Sequence, residues 1–356
     1  MIALGILSFL KPTPYMTKIA QHAVSSTMVY HFTPQALNGE EKINGLRYCR
    51  EKKEWVSDSF PIPSFIYDRC FYSSQLAREL SGRVERLKME RECRFLGYGL
   101  PNKWMVHQAV STDPSLAPFF PKTLRLTTSS FLLANLQLQK KWVLKPIQGS
   151  QGKGLIKVEA SNGHFVAKEV KQPGEQHFTF PSSSLFQQWL HTRMKKTSYI
   201  FQPFLSLQNK EGTPFDIRLL LQKDERGEWQ ERIRVIRTGI PHHITSNLAG
   251  GGRMHPYSSL TKSLSSLQKR KLEEDIRKIV THLPVLLERA FQPLFELGVD
   301  LGLDSRQNLW ILDINSKPGH KIVTMTAKQN QKEIYEAPSK YCEFLTFSKG
   351  NKMGVE

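Results

Sequence analysis

The chain has 356 residues, too many for one ordinary core, and sets 50 Lys and Arg against 32 Asp and Glu, a formal charge of +18. Hydrophobic residues at 39% and aromatics at 10% exclude a disordered or low-complexity chain. No apolar run reaches membrane-spanning length. The four cysteines, Cys49, Cys70, Cys93 and Cys342, have no paired spacing, which argues against a disulfide framework and for a reducing, cytoplasmic location.

Residues 1–112 read as a small α/β unit. Ten apolar residues open the chain without a basic n-region or a cleavage site, so a buried first strand over Ile2–Phe9 is expected rather than a signal peptide. A helix is expected over Tyr15–Ser25 and a strand over Val29–Phe32. Phe60–Tyr67, with Pro61 and Pro63, reads as an extended edge or connection. A further helix begins at Ser74 and runs to Leu80, and Pro101, Asn102 and Lys103 form a turn. No catalytic constellation is visible in this part.

Residues 113–335 have a different texture. A helix over Ser129–Gln139 precedes a strand, Trp142–Leu144, that ends at Lys145-Pro146. A glycine-rich loop, Gly149-Ser150-Gln151-Gly152-Lys153-Gly154, leads into Leu155–Glu159. Strands follow over Phe165–Val170 and Gln176–Phe180, then a helix over Ser184–Lys195. Tyr199–Leu205 is an apolar strand interrupted by Pro203, with a hinge between two lobes expected near 199–206. Ile217–Gln222 and Gln230–Thr238 are strands, and 245–256 is a glycine-rich loop. A long helix begins at Ser265, whose spacing to Gln268 fits a capping box. Its buried stripe is Leu272, Ile276, Ile279, Leu283, Leu286 and Phe291, with a kink at Pro284. Residues 336–356 are a C-terminal tail.

Gly298–Gly319 reads as a β-hairpin turned at Asp304–Asn308. Alternation on the strands places Val299, Leu301 and Leu303 on one face, with Gly298, Asp300 and Gly302 on the other. On the second strand it groups Trp310, Leu312 and Ile314 against Asp313 and Asn315. Asp300, Asp313 and Asn315 therefore converge. Hard oxygen donors beside glycines suit Mg²⁺ carrying nucleotide phosphates, although solvated acids on a half-buried hairpin have the same pattern.

The glycine loop is neither a Walker A motif nor a dinucleotide fingerprint, since no Ser or Thr follows Gly152-Lys153 and no helix follows. A glycine-rich hairpin tip can still offer backbone N–H groups to phosphates, with the Lys145 ammonium at the preceding strand end. A flexible hairpin with a surface lysine is the plainer reading. Phe215-Asp216-Ile217-Arg218, Arg234–Gly239 and Ser246–Arg253 combine strand arginines with an Asn/Gly-rich loop, which is equipment for holding a phosphoryl group. The basic runs Lys195-Lys196 and Lys269-Arg270-Lys271 lie in helix-like segments without interleaved aromatics. Solvated helix faces explain them better than nucleic acid does.

Strand–Lys–Gly loop, hinge, DIR, Arg strand, SNLxxGG, helix, GVD, DIN is an order that resembles the ATP-grasp superfamily over roughly residues 115–330. The motifs are similar to those of glutathione synthetase and the ribosomal-protein glutamate ligases. They are most similar to the YheC/YheD group of spore-coat-associated ATP-grasp proteins. The lines of resemblance are Lys145–Gly154, Phe215–Arg218 and Gly298–Gly319. It implies an α/β chain with an ATP-grasp fold of two α+β lobes and an N-terminal pre-ATP-grasp-like α/β domain. It also implies roles. Lys145, Gly149, Ser150, Gln151, Gly152, Gly154 and Arg218 serve the nucleotide phosphates, and Gln202, Pro203 and Leu205 serve its adenine. Arg237, Asn247 and Arg253 serve the transferred phosphoryl group, and Asp300, Asp313 and Asn315 serve Mg²⁺.

The implied activity is ATP-dependent carboxylate–amine ligation through an acyl phosphate, on an unknown acid and amine, with spore-coat proteins as further partners. The chain departs from related ligases in three places. Asp313 replaces the usual Glu. Thr245 stands where an Arg precedes the NLxxGG asparagine. No residue aligns cleanly with the upstream phosphate-binding Lys, Lys122, Lys140 and Lys141 being only nearby. These departures leave a nucleotide-binding coat-associated protein without efficient turnover as the alternative. A basic nucleic-acid-binding protein, motivated by charge alone, is a third reading.

Overall fold

The computed structural model describes residues 1–350 apart from 73, 74, 91, 150, 151, 172, 173, 210, 242 and 245–250. Three sheets organise them. The first has the order β4-β3-β2-β1-β5-β6. Its strands are β1 (Ile2–Leu7), β2 (Thr27–Phe32), β3 (Lys42–Cys49), β4 (Glu54–Pro61), β5 (Phe65–Asp68) and β6 (Arg94–Phe95). β1 runs parallel to β2 and β5, and the hairpin β3–β4 extends the sheet antiparallel. A central parallel strand is covered on both faces, which explains the continuous apolar run of β1. Leu4 and Ile6 enter one core cluster and Leu7 another.

Phe60–Tyr67 is not one edge segment. Phe60 and Pro61 close β4, while β5 is an interior strand buried along its length. The hairpin before it was not anticipated. Its polar, partly exposed strands lack a long apolar run, and Lys53 turns it at φ +55°. Helices α1 (Pro14–His22) and α2 (Gln75–Met89) complete this part.

Helix α3 (Lys103–Ser111) leads toward the second sheet, which has the order β11-β10-β9-β8-β12-β7 and antiparallel pairing throughout. Its strands are β7 (Leu124–Arg125), β8 (Lys141–Pro146), β9 (Ile156–Ser161), β10 (His164–Val170), β11 (Glu175–Phe180) and β12 (Tyr199–Pro203). Helices α4 (Ser129–Leu138) and α5 (Ser183–Met194) cover one face. Thr128 and Ser182 cap them by accepting from the Phe131 and Leu185 amides. Leu132, Trp142, Leu144, Ile156, Phe186 and Phe201 belong to a core drawn wholly from residues 124–201.

The third sheet has the order β15-β14-β13-β16-β17. It comprises β13 (Phe215–Lys223), β14 (Trp229–Thr238), β15 (Arg253–Pro256), β16 (Glu296–Leu303) and β17 (Leu309–Asn315). The end of the expected glycine-rich loop is thus strand β15, paired with β14. The short α6 (Ser258–Thr261) precedes α7 (Ser266–Ala290), whose start carries the full capping box of Ser265 and Gln268. The buried stripe of α7 runs through Leu272, Ile276, Ile279 and Leu283 to Leu287 rather than to Leu286 and Phe291, which are only partly buried. Pro284 lies inside a helix that continues to Ala290.

The third sheet is covered on both faces. Leu219, Leu221, Val299 and Leu301 meet α7, while Leu220 and Phe295 join the first sheet and α8 (Lys328–Gly350) in another core. Residues 336–350 are therefore part of a helix. It returns to the N-terminal part, where Ser339 Oγ accepts from the Val24 amide at 3.1 Å.

Candidate functional site

One cavity of about 450 Å³ is lined from the second and third sheets and from the segment that follows β5. The second sheet contributes Val143, Lys145, Gln202 and Pro203, and the third contributes Asp216, Arg218, Arg237, Asp300 and Asp313. Arg69 and Phe71 enter from the end of β5, and Lys103 enters from α3.

The floor is the β16–β17 hairpin, turned where Asp304 accepts from Arg306 and Asn308 amides. Asp300 and Asp313 are register partners, and Asn315 Nδ2 donates to Asp313 Oδ2 at 3.2 Å. Simple alternation on β17 fails, however. The register slips so that Leu301 pairs with Ile311 while Asp300 pairs with Asp313. Leu312 is the extra residue of a bulge. Ile311 consequently faces the core beside Leu301, whereas Leu312 lines the cavity together with Asp313. The expected face of Trp310, Leu312 and Ile314 is broken at that point.

Charges on the floor are densely paired. Arg218 Nη1 donates to Asp300 Oδ1, and Arg237 Nη2 reaches the same oxygen at 2.9 Å. Arg237 also grips Asp216 in a two-point fork, Nε at 2.7 Å and Nη2 at 2.8 Å. Burial disfavours the Asp300 carboxylate, but the two guanidinium groups outweigh it and hold its pKa down to about 2. Gly298 makes this possible, since a Cβ there would collide with the Arg218 guanidinium. Lys103 Nζ donates to Asp313 Oδ1. Lys145 Nζ donates to the Leu312 carbonyl at 3.0 Å, across to the other sheet. Burial, helped by the charge of Lys103, pulls the Lys145 ammonium down to about 8 against the opposing pull of Asp313 and Asp300.

Above the floor, Gly149 and Gly152 line the cavity, and Gly149, Gly152 and Gly154 adopt φ of +134°, +70° and +71°. Residues with a side chain rarely adopt these values, which accounts for the glycines. Ser150, Gln151 and Asn247 lie outside the described residues. Gln202 is buried and donates to Thr123 Oγ1 at 2.7 Å, while Pro203, Phe204 and Leu205 line the cavity beyond it. Gly154, Arg253 and Asn315 stand differently. Asn315 is in the lining, Gly154 is set behind it against Pro146, and Arg253 is an exposed residue of β15 outside the lining.

The N-terminal part, expected to hold no functional constellation, supplies three lining residues. Lys103 was read as part of a turn. Asn102 instead caps α3, its side chain accepting from the Trp104 and Met105 amides, and this places Lys103 at the first helical position facing Asp313. The Asn-Lys pair before an apolar helical stretch was the available signal. Lys122, Lys140 and Lys141 do not line the cavity. Arg69 is buried, with its guanidinium on Glu296 Oε1, the Pro318 carbonyl and His320 Nδ1. Because that arginine must donate, His320 Nδ1 accepts, and its Nε2–H donates to Glu296 Oε2 at 3.0 Å. Burial keeps His320 neutral, its pKa lowered to about 4.

Could this site hold a metal? Among the described residues no three His, Cys, Asp or Glu side chains form a metal cluster. Asp300 and Asp313 are nevertheless register partners with Asn315 bonded to Asp313, and cations already rest on both carboxylates, Arg218 and Arg237 on Asp300 and Lys103 on Asp313. The donor set fits a hard divalent ion that takes its remaining oxygens from nucleotide phosphates.

Residues 92–345 match the model of the family described as YheC/D like ATP-grasp. The chain belongs to that family. This YheC/D-like chain is 31% identical over 363 residues to the endospore coat-associated protein YheC of Bacillus subtilis (strain 168), covering 100% of the chain and 99% of that relative. It is 26% identical to the endospore coat-associated protein YheD of the same organism, covering 85% of the chain and 67% of that relative. Among solved structures it resembles a Chryseobacterium gregarium RiPP-associated ATP-grasp ligase in complex with ADP and a leader and core peptide. There the TM-score is 0.52 at 10% identity, over 98% of this chain and 97% of the other. The D-cycloserine synthetase DcsG gives 0.53 at 10% identity, over 97% and 99%. These likenesses show that the YheC/D-like chain has the ATP-grasp fold, and membership of the family carries an expectation of ATP binding.

Proposed function

We propose that the protein is an ATP- and Mg²⁺-dependent carboxylate–amine ligase. The observation that carries this reading is the cavity where Lys103 and Lys145 meet Asp300 and Asp313 beneath the glycine loop. When bound, ATP with Mg²⁺ would supply a phosphoryl group that turns a carboxylate into an acyl phosphate, releasing ADP, and an amine would then attack the acyl carbon and expel phosphate. Lys103 and Lys145 neutralise phosphate charge, and Gly149 and Gly152 expose backbone N–H groups above it. Gln202, Pro203 and Leu205 border the adenine. Asp300, Asp313 and Asn315 hold the metal. Arg237, fixed in direction by Asp216, holds the phosphoryl group as it transfers. Ser150, Gln151, Gly154 and Arg218 support the phosphate side, and Asn247 the transfer, whereas Arg253, exposed outside the lining, is left without a role.

Calorimetric titration of AMP-PNP with and without Mg²⁺, on wild type and Asp313→Ala, tests the reading. It predicts Mg²⁺-dependent binding that the variant loses. No binding to wild type would overturn it. ADP release screened over acid–amine pairs then identifies the reaction.

A second reading is a nucleotide-binding, spore-coat-associated protein with little turnover. It is favoured by the engagement of Arg237 Nε and Nη2 on Asp216 and Asp300, and by Thr245 in place of an arginine. The names of the two Bacillus relatives support the coat association. A ligation product in stoichiometric amount from any pair would remove this second reading.

A further inference from the structure

The cavity has an end that the nucleotide reading leaves unused. Eight basic side chains line the cavity against three acidic ones. Most of the basic groups are already committed. Arg218 and Arg237 lie on Asp300, Lys103 on Asp313, Arg69 on Glu296, and Lys145 on a carbonyl. Lys153 belongs to the glycine loop. The ammonium of Lys321, exposed at the opposite end, has no hydrogen-bond or ion-pair partner among the described residues, only the residue's carbonyl accepting, from Thr324 Oγ1.

Lys317 lies four residues before it, across Pro318 and Gly319. Its ammonium donates to Asp68 Oδ2 at 2.5 Å and to the Cys70 carbonyl at 2.9 Å. An ammonium has three N–H groups, so one has no hydrogen-bond acceptor, although the ammonium also lies 5.1 Å from the centre of the Tyr72 ring. Asp68 and Cys70 hold that ammonium in place, which lowers the ordering cost of using it. Phe71, 47% exposed, supplies apolar surface to the lining, and Ile322, 3% exposed and otherwise in the core, adds its edge.

We propose that this end binds the distal carboxylate of a dicarboxylic acid, held by Lys321 and the free N–H of Lys317, with Phe71 and Ile322 against the intervening methylenes. The proposal rests on the ligase reading for what fills the rest of the cavity. The second carboxylate of the acid lies toward Arg237. A monocarboxylate would leave Lys321 without a counter-charge and the wall of Phe71 bare.

The test is calorimetric titration of the full chain with glutarate, butyrate and 4-phosphonobutyrate, each with and without AMP-PNP and Mg²⁺. Glutarate should bind about tenfold or more tighter than butyrate. Lys321→Glu should abolish that preference and Lys321→Arg keep it, while AMP-PNP affinity stays within about twofold in both. Equal affinity for glutarate and butyrate, absence of glutarate binding in both states, or a preference unmoved by Lys321→Glu overturns the proposal. Tighter binding of 4-phosphonobutyrate than glutarate also overturns it, in favour of a phosphorylated acid. The nucleotide arm is read separately. A protein that takes AMP-PNP but shows no glutarate preference removes this inference alone. One that prefers glutarate but refuses AMP-PNP removes the ligase reading alone.

Discussion

Lys103 and Asp313, separated by 210 residues, meet as an ion pair on the floor of the cavity. The pair has two consequences of opposite sign. Its lysine is available to phosphates, and its carboxylate is covered until they arrive. Lys103→Met should therefore weaken AMP-PNP·Mg²⁺ binding about tenfold or more, the loss of one charge-assisted contact. The same change should tighten Mn²⁺ binding measured without nucleotide, since Asp313 loses its resident cation. Paramagnetic titration of Mn²⁺ checks the second part, and unchanged Mn²⁺ affinity would show that the pair does not compete with metal.

Asp300 neutralises two buried guanidinium groups, those of Arg218 and Arg237. Asp300→Ala leaves Arg218 without a counter-ion, and Arg237 only with Asp216. Breaking a buried pair in this way should lower unfolding free energy by about 3 kcal/mol. Urea denaturation reads it directly. Loss of metal-dependent binding in this variant is interpretable only after stability has been measured.

Lys145 sets a pH limit on nucleotide binding. With its pKa near 8, it is charged at neutral pH and loses its proton as pH rises through that value. AMP-PNP affinity should fall between about pH 7 and pH 9, and bound phosphates should pull a proton back onto the amine. Calorimetry at pH 8.5 in buffers of different ionisation enthalpy should report proton uptake. Lys145→Arg, charged throughout, should flatten the profile.

His320 has the reverse signature, in stability rather than binding. Neutral in the folded state to about pH 4, it takes up a proton near pH 6.5 once unfolded. The unfolded chain therefore binds more protons between those values, so its stability contribution is full above pH 6.5 and is lost as pH falls toward 4. The loss amounts to about 3 kcal/mol by linkage. His320→Gln should be less stable at neutral pH yet show a shallower decline over that interval in chemical denaturation.

Much of the site is legible in the chain because strand periodicity and glycine placement carry it. The hairpin of Asp300 and Asp313, the loop from Gly149 to Gly154, and the capping box at Ser265 all follow from local rules. The bulge at Leu312 is not legible, since one unpaired residue is invisible to a period-2 reading. Arg69 and Phe71 were hidden because Pro61 and Pro63 disguised an interior strand as an edge. Lys103 depended on reading Asn102 as a cap rather than as a turn. Arg253 failed in the other direction. The family resemblance implied a place near the transferred phosphoryl group, whereas pairing of β15 with β14 leaves it exposed.

The core drawn wholly from residues 124–201 stands apart from the one that the first and third sheets share with α8. Residues 124–201 should therefore behave as one cooperative block and the rest of the described chain as another, with the cavity as the seam between them. Hydrogen bonds that cross between them include Lys145 Nζ to the Leu312 carbonyl, the Lys103 amide to the Ile147 carbonyl and the Ile244 amide to Glu175 Oε1. An occupant of the seam touches both blocks and so acts as mortar. In the empty protein the smaller block should melt at its own temperature, and in the loaded protein the two endotherms should merge into one.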